Sequence, residues 1–321
     1  MRVVVTGATG CVGRAVCAAL AASGSTVVAA ARHAGAAAPN VEPRAIDLVH
    51  GDVGALVAGA DAIVHLAARA HTAPRGAVEL EQMRAANVDA TGRLVDAARR
   101  AGVGRFVYTS TVAVYGAAVT SRGPVPDDAE TEPSTPYGRG KLEGEAIARA
   151  AGAVALRLAL VFGPCDRGNV ATLLAAARAR RAFVVGGGVN KKSVVYSGNV
   201  ADRVALLLAL DDARWSRLAG DAYNVVDASP TQRDLVSAVA RAVGCQSPPA
   251  MPLAPFVLAG AAIDLVMRVA GRTPRWRARV EKLAESTEFV GDRLDRELGY
   301  AARVSLADGL AAEVAAMGAR A

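Results

Sequence analysis

A chain of 321 residues with 52% hydrophobic residues is long enough for one large α/β unit or two modest lobes around a sizeable core. The formal net charge is +7, and the arginines are scattered along many segments rather than run together. This pattern suits an anionic small molecule, and it argues against nucleic-acid binding because no basic block is interleaved with aromatic residues.

The cysteines, the first apolar run and the longest apolar stretch argue against a metal site, a signal peptide and a membrane span, respectively. The four cysteines form no Cys-x-x-Cys pair and the histidines are not spaced with them as ligands, so we expect no metal site and reduced thiols in a cytoplasmic protein. The first apolar run breaks at once into a glycine-rich turn, unlike a signal peptide. Residues 252–271 are apolar but carry Asp264 and Arg268 four apart. That spacing predicts an ion pair on a soluble helix rather than a membrane span.

Short β-branched runs alternate with alanine-rich helical segments through the first half of the chain. The order begins RVVVTG, VGRAVCAALAASG, TVVAAA and DAIVHLAA, and later includes RFVYTS and VALRLALVFG. This rhythm predicts an α/β protein with a Rossmann-like, doubly wound parallel sheet. We predict a dinucleotide-binding domain over residues 1–165 and a smaller substrate-binding lobe over 166–321, with segments near 193–226 returning to the main sheet.

A glycine-rich turn follows the first predicted strand and opens a helix. Gly7, Gly10 and Gly13 permit a tight turn and let the backbone approach a pyrophosphate. The phosphate charge would then lie at the N-terminus of the helix that starts near Cys11. This context predicts a dinucleotide cofactor.

The end of the second predicted strand bears on which dinucleotide binds. A carboxylate at this position accepts both ribose hydroxyls of NAD, but this chain has Ala31 followed by Arg32. An arginine pairs with the 2′-phosphate of NADP, so NADP(H) is favoured and NAD(H) stays possible. In the alternative interpretation, Arg32 stacks on adenine or is merely exposed to solvent.

Tyr137 and Lys141 are four residues apart at the start of a predicted helix that Ser-Thr-Pro precedes. Both side chains therefore lie on one helix face. A phenol with a pKa near ~10 is a poor acid or base at neutral pH. A neighbouring ammonium and an oxidised nicotinamide ring would lower that pKa, so the pair is a candidate for proton transfer.

Several motifs, in chain order, resemble those of the extended short-chain dehydrogenase/reductases. TGATGCVG resembles TGxxGxxG, NVDAT resembles NVxGT, and FVYTSTVAVYG, PYGRGK and LRLALVFGP follow along almost the whole chain. The resemblance implies that Thr111, Tyr137 and Lys141 are catalytic, with Thr111 bonding the reacting oxygen of the substrate. The candidate cofactor-binding residues are Gly7, Thr9, Gly10, Cys11, Val12, Gly13, Arg32, Asp47, Leu48, Leu66, Ala67, Ala68, Asn87, Tyr137 and Lys141.

The resemblance also implies a substrate side in the second lobe. Asn169 in CDRGNVATLL lies where related sugar-nucleotide enzymes have an asparagine at a helix start facing a diphosphate. GGGVNKKSVVYSGNVADRV resembles the NRRSLVYVGNL segment of enzymes that make bacterial surface-polysaccharide sugars, and Lys192 takes the place of a diphosphate-binding arginine. Lys191, Lys192 and Lys282 have a simpler interpretation as solvated surface groups.

The resemblance implies an enzyme acting on a nucleoside-diphosphate sugar, with UDP or dTDP as the nucleotide, and a homodimer is expected. In the favoured hypothesis, NADPH reduces the C4 keto group of a 6-deoxy sugar while Tyr137 donates the proton. The alternative is an NAD-dependent 4-epimerase similar to UDP-glucose 4-epimerase. Both hypotheses need the same three catalytic residues.

The same fold is also compatible with other functions. A ketoreductase of apolar ketones is the third hypothesis, in which the apolar helix at residues 256–269 would line a hydrophobic pocket. A dehydratase is disfavoured because Val112-Ala113 stand where the family's dehydratases have Asp-Glu. The intact Thr, Tyr and Lys set argues against a nonenzymatic dinucleotide sensor.

Overall fold

The computed structural model describes residues 1–70, 74, 76–166, 168–269, 276 and 284–318. Its strands, in chain order, are β1 (Arg2–Thr6), β2 (Thr26–Ala31), β3 (Val41–Ala45), β4 (Ala62–His65), β5 (Arg105–Thr111), β6 (Val154–Leu158), β7 (Leu160–Phe162), β8 (Val184–Val185), β9 (Val194–Tyr196), β10 (Ala222–Val225) and β11 (Ala250–Met251). Seven of these strands form one sheet, and the other four form two separate pairs.

The main sheet has the order β3-β2-β1-β4-β5-β6-β10, and every neighbouring pair is parallel. This is the doubly wound order, with β10 as a seventh strand, so the predicted fold class is confirmed. Strand order reverses between β1 and β4, and ligands of such sheets bind where the carboxyl ends of strands meet this reversal. The fold therefore directs attention to the residues that follow β1, β4, β5 and β6.

Helices connect and cover these strands. They are α1 (Cys11–Ala22), α2 (Val53–Val57), α3 (Ala77–Arg84), α4 (Ala90–Arg100), α5 (Gly116–Thr120), α6 (Pro136–Ala150), α7 (Asn169–Arg178), α8 (Ser197–Ala209), α9 (Asp212–Leu218), α10 (Gln232–Ala242), α11 (Leu253–Val269), α12 (Arg293–Leu298) and α13 (Leu306–Gly318). A π-helical turn (Ala85–Asp89) joins α3 to α4, and a 3-10 turn (Val112–Val114) follows β5. No helix among the described residues is long and apolar enough to cross a membrane.

Both faces of the main sheet are covered by helices. Val3 and Val5 pack with residues of α1 and α8 on one face, whereas Val4 packs with residues of α4 and α6 on the other. All three valines are fully buried, because successive side chains of a strand point to opposite faces and this strand is central. The valine-rich run at the start of the chain therefore serves two cores at once.

The two strand pairs outside the main sheet lie in the second half of the fold. β9 pairs with β7, and β11 pairs with β8. Of the two segments expected to return to the main sheet, Ala222–Val225 forms its edge strand beside β6, whereas Val194–Tyr196 pairs outside it. A separate apolar cluster, which includes Phe162, Leu174 and Leu310, holds this region together.

Candidate active site

A cleft of about 720 Å³ opens at the carboxyl ends of the central strands. Residues after β1 and β4 line one end of the cleft, the end of β5 and the start of α6 line its middle, and β7 with the start of α7 lines the far side. The cleft contains most of the predicted site residues: Gly7, Gly10, Cys11, Val12, Gly13, Leu66, Ala68, Thr111, Tyr137, Lys141 and Asn169. One continuous cavity thus lies at the carboxyl ends of the strands, where parallel sheets of this type bind their ligands.

The glycine-rich turn forms a cradle that side chains would fill. Gly7 has φ +68°, and a Cβ there would lie 2.7 Å from the backbone nitrogen of Ala67. A Cβ on Gly13 would lie 2.2 Å from the carbonyl oxygen of Gly7. Helix α1 has no side-chain cap and no acidic residue in its first turn, so its N-terminal N–H groups are open to an anion. These features fit a pyrophosphate.

Cys11 begins α1 and connects the cradle with the loop before α7. Its thiol donates to the carbonyl oxygens of Gly163 and Pro164, with Sγ–O distances of 3.7 and 3.5 Å. Burial raises the pKa of the Cys11 thiol to about 12. The thiol therefore stays protonated at neutral pH and is poorly suited to act as a nucleophile.

The remaining predicted cofactor residues lie beside the cleft rather than on its described lining. Arg32 directly follows β2 at the carboxyl edge of the sheet and is exposed, and its guanidinium makes no ion pair with any residue that the structure describes. Thr9 lies in the same turn as the glycines, with its methyl group near Gly35. Asp47 and Leu48 follow β3, and the Asp47 carboxylate accepts a hydrogen bond from Val49 N.

Asn87 contacts the protein backbone instead of the cleft. It is 1% exposed, and its amide oxygen accepts from Arg69 N at 2.7 Å while its nitrogen donates to Arg69 O at 3.3 Å. These bonds hold the segment that follows Leu66, Ala67 and Ala68. In this structure Asn87 therefore supports the wall of the cleft that Ala68 and Ala70 line.

A buried hydrogen-bond chain behind the cleft supports the same wall. His65 Nδ1 lies 2.6 Å from Thr6 Oγ1, and His65 Nε2 lies 3.0 Å from Thr91 Oγ1. Burial, with a smaller effect from Lys141, lowers the pKa of His65 to about 3. The imidazole is thus neutral and structural, and its partners Thr6 and Thr91 do not follow from sequence spacing.

Helix α6 brings the proton-transfer residues together with β5. Thr135 caps the helix by accepting from Gly138 N at 3.0 Å, and Pro136 occupies the first helical position. Tyr137 therefore lies in the first turn, and it lines the cleft together with Thr111 at the end of β5. Lys141 follows one turn later on the same face of the helix.

The phenol of Tyr137 has a raised pKa in the protein alone. Burial raises the pKa of Tyr137 to about 12, and the Thr111 side chain opposes the shift only in part. Removal from water penalises the phenolate more than the neighbours stabilise it. The protein alone thus keeps Tyr137 as a protonated donor. The lowered pKa predicted from the sequence requires an oxidised nicotinamide ring as well as the ammonium of Lys141, so it stays a prediction for the cofactor complex.

Lys141 lies deeply buried beneath the cleft. Its side chain is 2% exposed, and its Nζ lies 4.1 Å from the ring centroid of Tyr108. Burial lowers the pKa of Lys141 from 10.5 to about 7, and the carboxylate of Glu145 partly opposes the shift. The amine therefore changes its charge near neutral pH, which is unusual for a lysine.

This shift predicts a pH-dependent stability. The unfolded chain keeps a lysine pKa near ~10.4, so between pH 7 and that value it binds the proton that the folded state has lost. The stability that Lys141 contributes is present at high pH and is lost as the pH falls through about 7. We expect Lys141→Met to be more stabilising, relative to the wild type, at pH 7 than at pH 9.

Chemical denaturation of the cofactor-free proteins at both pH values measures this difference. Lys191→Met is the control, because the Lys191 side chain is 47% exposed and its ammonium pairs with the Glu288 carboxylate at 2.8 Å instead of being buried away from water. A stability difference between Lys141→Met and the wild type that does not change with pH would contradict the assignment.

A buried ion pair continues the row of functional side chains along α6. Glu145 is fully buried, and both its oxygens accept from Arg157 on β6, with the shortest N–O distance at 2.7 Å. Arg157 also donates to the hydroxyl of Tyr115 at 2.8 Å. This pair was missed by the sequence analysis. Tyr137, Lys141 and Glu145 are each four residues apart, and this i, i+4, i+8 spacing indicates a third residue on the same helix face.

The two predicted substrate residues on the far side of the cleft differ in position: one lies on the lining and the other at the rim. Asn169 is the first residue of α7, is exposed, and lines the cleft. The side chain of Asp166 accepts from two backbone nitrogens at this helix start, those of Gly168 and Ala171. Lys192 lies at the rim, where its Nζ donates to the carbonyl oxygen of the cleft residue Glu285 at 2.6 Å. Lys282 is outside the described residues.

The lining of the cleft differs from the sequence prediction at helix α11 and at Ser110. Helix α11 supplies no residue to the described lining of the cleft, so the apolar pocket expected from residues 256–269 is not formed by this helix. Ser110 does line the cleft; it is 4% exposed, and its hydroxyl has no hydrogen-bond partner among the described residues. Buried hydroxyls are usually paired, so Ser110 offers a polar contact to a ligand.

Comparison with known proteins shows the family of this chain. The model of the NAD dependent epimerase/dehydratase family matches residues 3–225, which include the glycine cradle and the Thr111, Tyr137 and Lys141 cluster. The chain belongs to this family. The resemblance to extended short-chain dehydrogenase/reductases is thereby confirmed, and the protein is an NAD(P)-dependent enzyme of the oxidoreductase and epimerase type.

Individual relatives act on different substrates. The chain is 30% identical to a 2-alkyl-3-oxoalkanoate reductase of Stenotrophomonas maltophilia, and the match covers 97% of each protein. It is 27% identical to an Escherichia coli 4-epimerase of N-acetyl-α-D-glucosaminyl-diphospho-undecaprenol, over 70% of this chain and 68% of the relative. The structure of Bacillus cereus UDP-glucuronic acid 4-epimerase, in complex with UDP-glucuronic acid and NAD, superposes over all of both chains with a TM-score of 0.79 and 21% identity, which establishes the shared fold.

Proposed function

We propose that the protein reduces the C4 keto group of a nucleoside-diphosphate-linked 6-deoxy sugar with NADPH, in bacterial deoxysugar or surface-polysaccharide synthesis. The observation that carries the proposal is a single cleft that contains the dinucleotide cradle, the catalytic cluster and, opposite them, the start of α7. Asn169 at that start and Lys192 at the rim suit a diphosphate. The nucleotide would be UDP or dTDP.

The chain's own residues divide the reaction between them. Bound reduced nicotinamide would supply the hydride to the carbonyl carbon. The hydroxyl of Tyr137 donates its proton to the carbonyl oxygen, which converts the ketone into a secondary alcohol, and the phenolate then regains a proton from solvent. Thr111, on the same cleft lining, hydrogen-bonds and orients the same carbonyl oxygen, while Lys141 favours the phenolate when the lysine is charged.

Arg32 supports NADPH over NADH in this proposal. An exposed guanidinium without an ion-pair partner among the described residues is available to a 2′-phosphate at the end of β2. We expect Arg32→Asp to lower kcat/KM for NADPH by about 10- to 100-fold, the loss of one charge-assisted hydrogen-bonded pair, and to leave NADH less affected. Steady-state kinetics with both cofactors measures the ratio.

Arg100→Asp is the matched control for this change. Arg100 is also exposed, but it lies in the last turn of α4, on the opposite edge of the sheet. An Arg32→Asp enzyme that keeps the wild-type ratio of NADPH to NADH use would contradict the role of Arg32. Tightly bound NAD in the purified protein, with little affinity for NADPH, would favour the alternative 4-epimerase.

A second candidate is reduction of a 2-alkyl-3-oxoalkanoate-type ketone. It is supported by the 30% identity over nearly all of both chains and by apolar lining residues, which include Val112, Ala117, Leu160 and Phe289. Asp166 and Glu285 also line the cleft, and Lys141 is the only cationic side chain on its described lining. This balance of charge suits a substrate with less negative charge than a diphosphate.

Binding and turnover assays separate the two candidates. We expect UDP or dTDP to raise the thermal midpoint and a 4-keto-6-deoxy sugar nucleotide to support NADPH oxidation. No shift with any nucleoside diphosphate, together with NADPH oxidation by a long-chain 2-alkyl-3-oxo acid, would replace the first candidate with the second. Interconversion of two sugar nucleotides without net consumption of cofactor would establish the epimerase.

A further inference from the structure

Ser110 is a buried polar residue of the cleft that the reaction described above does not use. Its side chain is 4% exposed, it lines the cleft, and its hydroxyl has no hydrogen-bond partner among the described residues. Both neighbours on β5 have partners: Thr109 donates to the carbonyl oxygen of His65 at 3.0 Å, and the Thr111 side chain accepts from Ala113 N at 3.2 Å. Because an unpaired buried hydroxyl costs free energy, its position indicates that a ligand supplies the partner.

The direction of the Ser110 side chain follows from the pleat of β5. Alternate residues of a strand point to the same face, so Ser110 points the same way as Tyr108. The Tyr108 hydroxyl donates to the carbonyl oxygen of Lys141 on α6 at 3.3 Å. Arg157, which is in register with Ser110 on β6, also points to this face, since it binds Glu145 of α6. Ser110 therefore faces α6.

Ser110 also lies nearer to the cleft than Tyr108 does. It is one pleat closer to the carboxyl end of β5, where the strand reaches the cleft. Lys141 lines the same cleft, with its Nζ 4.1 Å from the ring centroid of Tyr108. The Ser110 hydroxyl and the Lys141 amine thus belong to one wall of the cleft, the wall between β5 and α6.

The hydrogen-bonding capacities of these two groups suit a ribose. The Lys141 ammonium has three N–H groups and no acceptor, and the ring of Tyr108 covers only one side of it. The Ser110 hydroxyl can both donate and accept. Each ribose hydroxyl also donates and accepts, so one can accept from Lys141 while its neighbour bonds Ser110. Thr111, which orients the substrate oxygen, points to the opposite face of β5, so Ser110 does not share its partner.

We propose that the hydroxyl of Ser110 binds the nicotinamide ribose of the cofactor beside Lys141. The chain then holds the dinucleotide at two separate points, because the glycine cradle takes the pyrophosphate and the wall between β5 and α6 takes this ribose. A fixed ribose in turn orients the nicotinamide ring attached to it. The role concerns the dinucleotide alone, so it does not rest on the ketone or on the NADPH preference proposed above.

Binding of a graded set of nucleotides to the cofactor-free protein tests the proposal. NADP⁺ carries the nicotinamide ribose, 2′-phospho-ADP-ribose carries the corresponding ribose without the nicotinamide ring, and 2′,5′-ADP lacks both. We expect Ser110→Ala to weaken binding of the first two by about 3- to 10-fold, the loss of one hydrogen bond, and to leave the Kd for the third unchanged. Isothermal titration calorimetry measures these constants. The same series without the 2′-phosphate makes the result independent of cofactor preference.

The stability of the cofactor-free protein gives a second result. Ser110→Ala removes an unpaired buried hydroxyl, so its thermal midpoint should equal or exceed that of the wild type. Thr109→Val is the matched control, because Thr109 is 5% exposed, lines the same cleft and bonds the carbonyl oxygen of His65. It should lower the thermal midpoint but leave the ratio of the Kd for ADP to that for ADP-ribose at the wild-type value.

Three outcomes would overturn the proposal. The first is unchanged binding of every nucleotide by Ser110→Ala, and the second is an equal loss for ADP and ADP-ribose, which would indicate a general distortion of the site. The third is a loss for the complete dinucleotides without a loss for ADP-ribose, which would place the hydroxyl at the nicotinamide ring. None of these measurements includes a ketone, so their failure is separate from failure of the proposed reaction.

Discussion

Tyr137→Phe should abolish most of the turnover and leave cofactor binding nearly unchanged. The phenol lines the cleft together with Thr111, and loss of a positioned proton donor typically lowers kcat by roughly 10²- to 10⁴-fold. Phenylalanine keeps the ring that packs at the start of α6, so the dissociation constant for the dinucleotide should change by less than about threefold. Stopped-flow kinetics and fluorescence titration with the cofactor measure the two quantities.

Tyr223→Phe provides a matched control for the loss of a buried hydroxyl. Tyr223 lies on β10, is 1% exposed, and its hydroxyl has no hydrogen-bond partner among the described residues. Its removal should leave kcat unchanged. If Tyr137→Phe kept wild-type kcat, the proton in the reaction would come from another group, and the assignment of Tyr137 would be wrong.

Glu145→Ala should have the largest effect on stability. The change leaves the Arg157 guanidinium on β6 without its bidentate partner, and Glu145 itself is fully buried. An uncompensated buried charge costs about 3–5 kcal/mol, so we expect the free energy of unfolding to fall by that amount. The pKa of Lys141 should fall further as well, because the carboxylate of Glu145 raises it. Denaturant titration measures the stability change.

An exposed pair shows what burial adds to this effect. Asp292 and Arg296 form an ion pair at 3.3 Å in which both side chains are more than half exposed, and Asp292→Ala should cost less than about 1 kcal/mol. Glu145→Gln keeps the volume and one acceptor, so we expect an intermediate loss. Equal losses for Glu145→Ala and Asp292→Ala would show that the buried pair contributes no more than a surface contact.

These variants affect one connected unit along α6. Tyr137 faces the cleft, Lys141 lies beneath it against Tyr108, and Glu145 anchors the next turn to β6 through Arg157. The fourfold spacing places all three on one helix face, and Tyr108 also donates to the Lys141 carbonyl at 3.3 Å. The position of the proton donor therefore depends on contacts that extend two helical turns behind the cleft.

Short-range patterns in the sequence determined much of what the structure contains. The alternation of β-branched and alanine-rich segments was enough for the parallel sheet, because strand and helix periodicities are local properties. The glycine cradle and the Tyr137–Lys141 spacing were equally readable, since each depends on neighbours within about one turn. Asn169 also begins a helix, as the resemblance to sugar-nucleotide enzymes implied.

Only the tertiary structure decided how these groups are surrounded. Burial raises the pKa of Tyr137 in the protein alone, and the sequence does not show this because desolvation depends on residues far away in the chain. Asn87 bonds Arg69 and Glu145 bonds Arg157, and neither partner follows from sequence spacing. The position of α11 also depends on the tertiary structure. Its apolar pattern is visible in the sequence, but only the packing shows that α11 supplies no residue to the described cleft lining and that Leu258, Leu265 and Val269 are exposed to solvent.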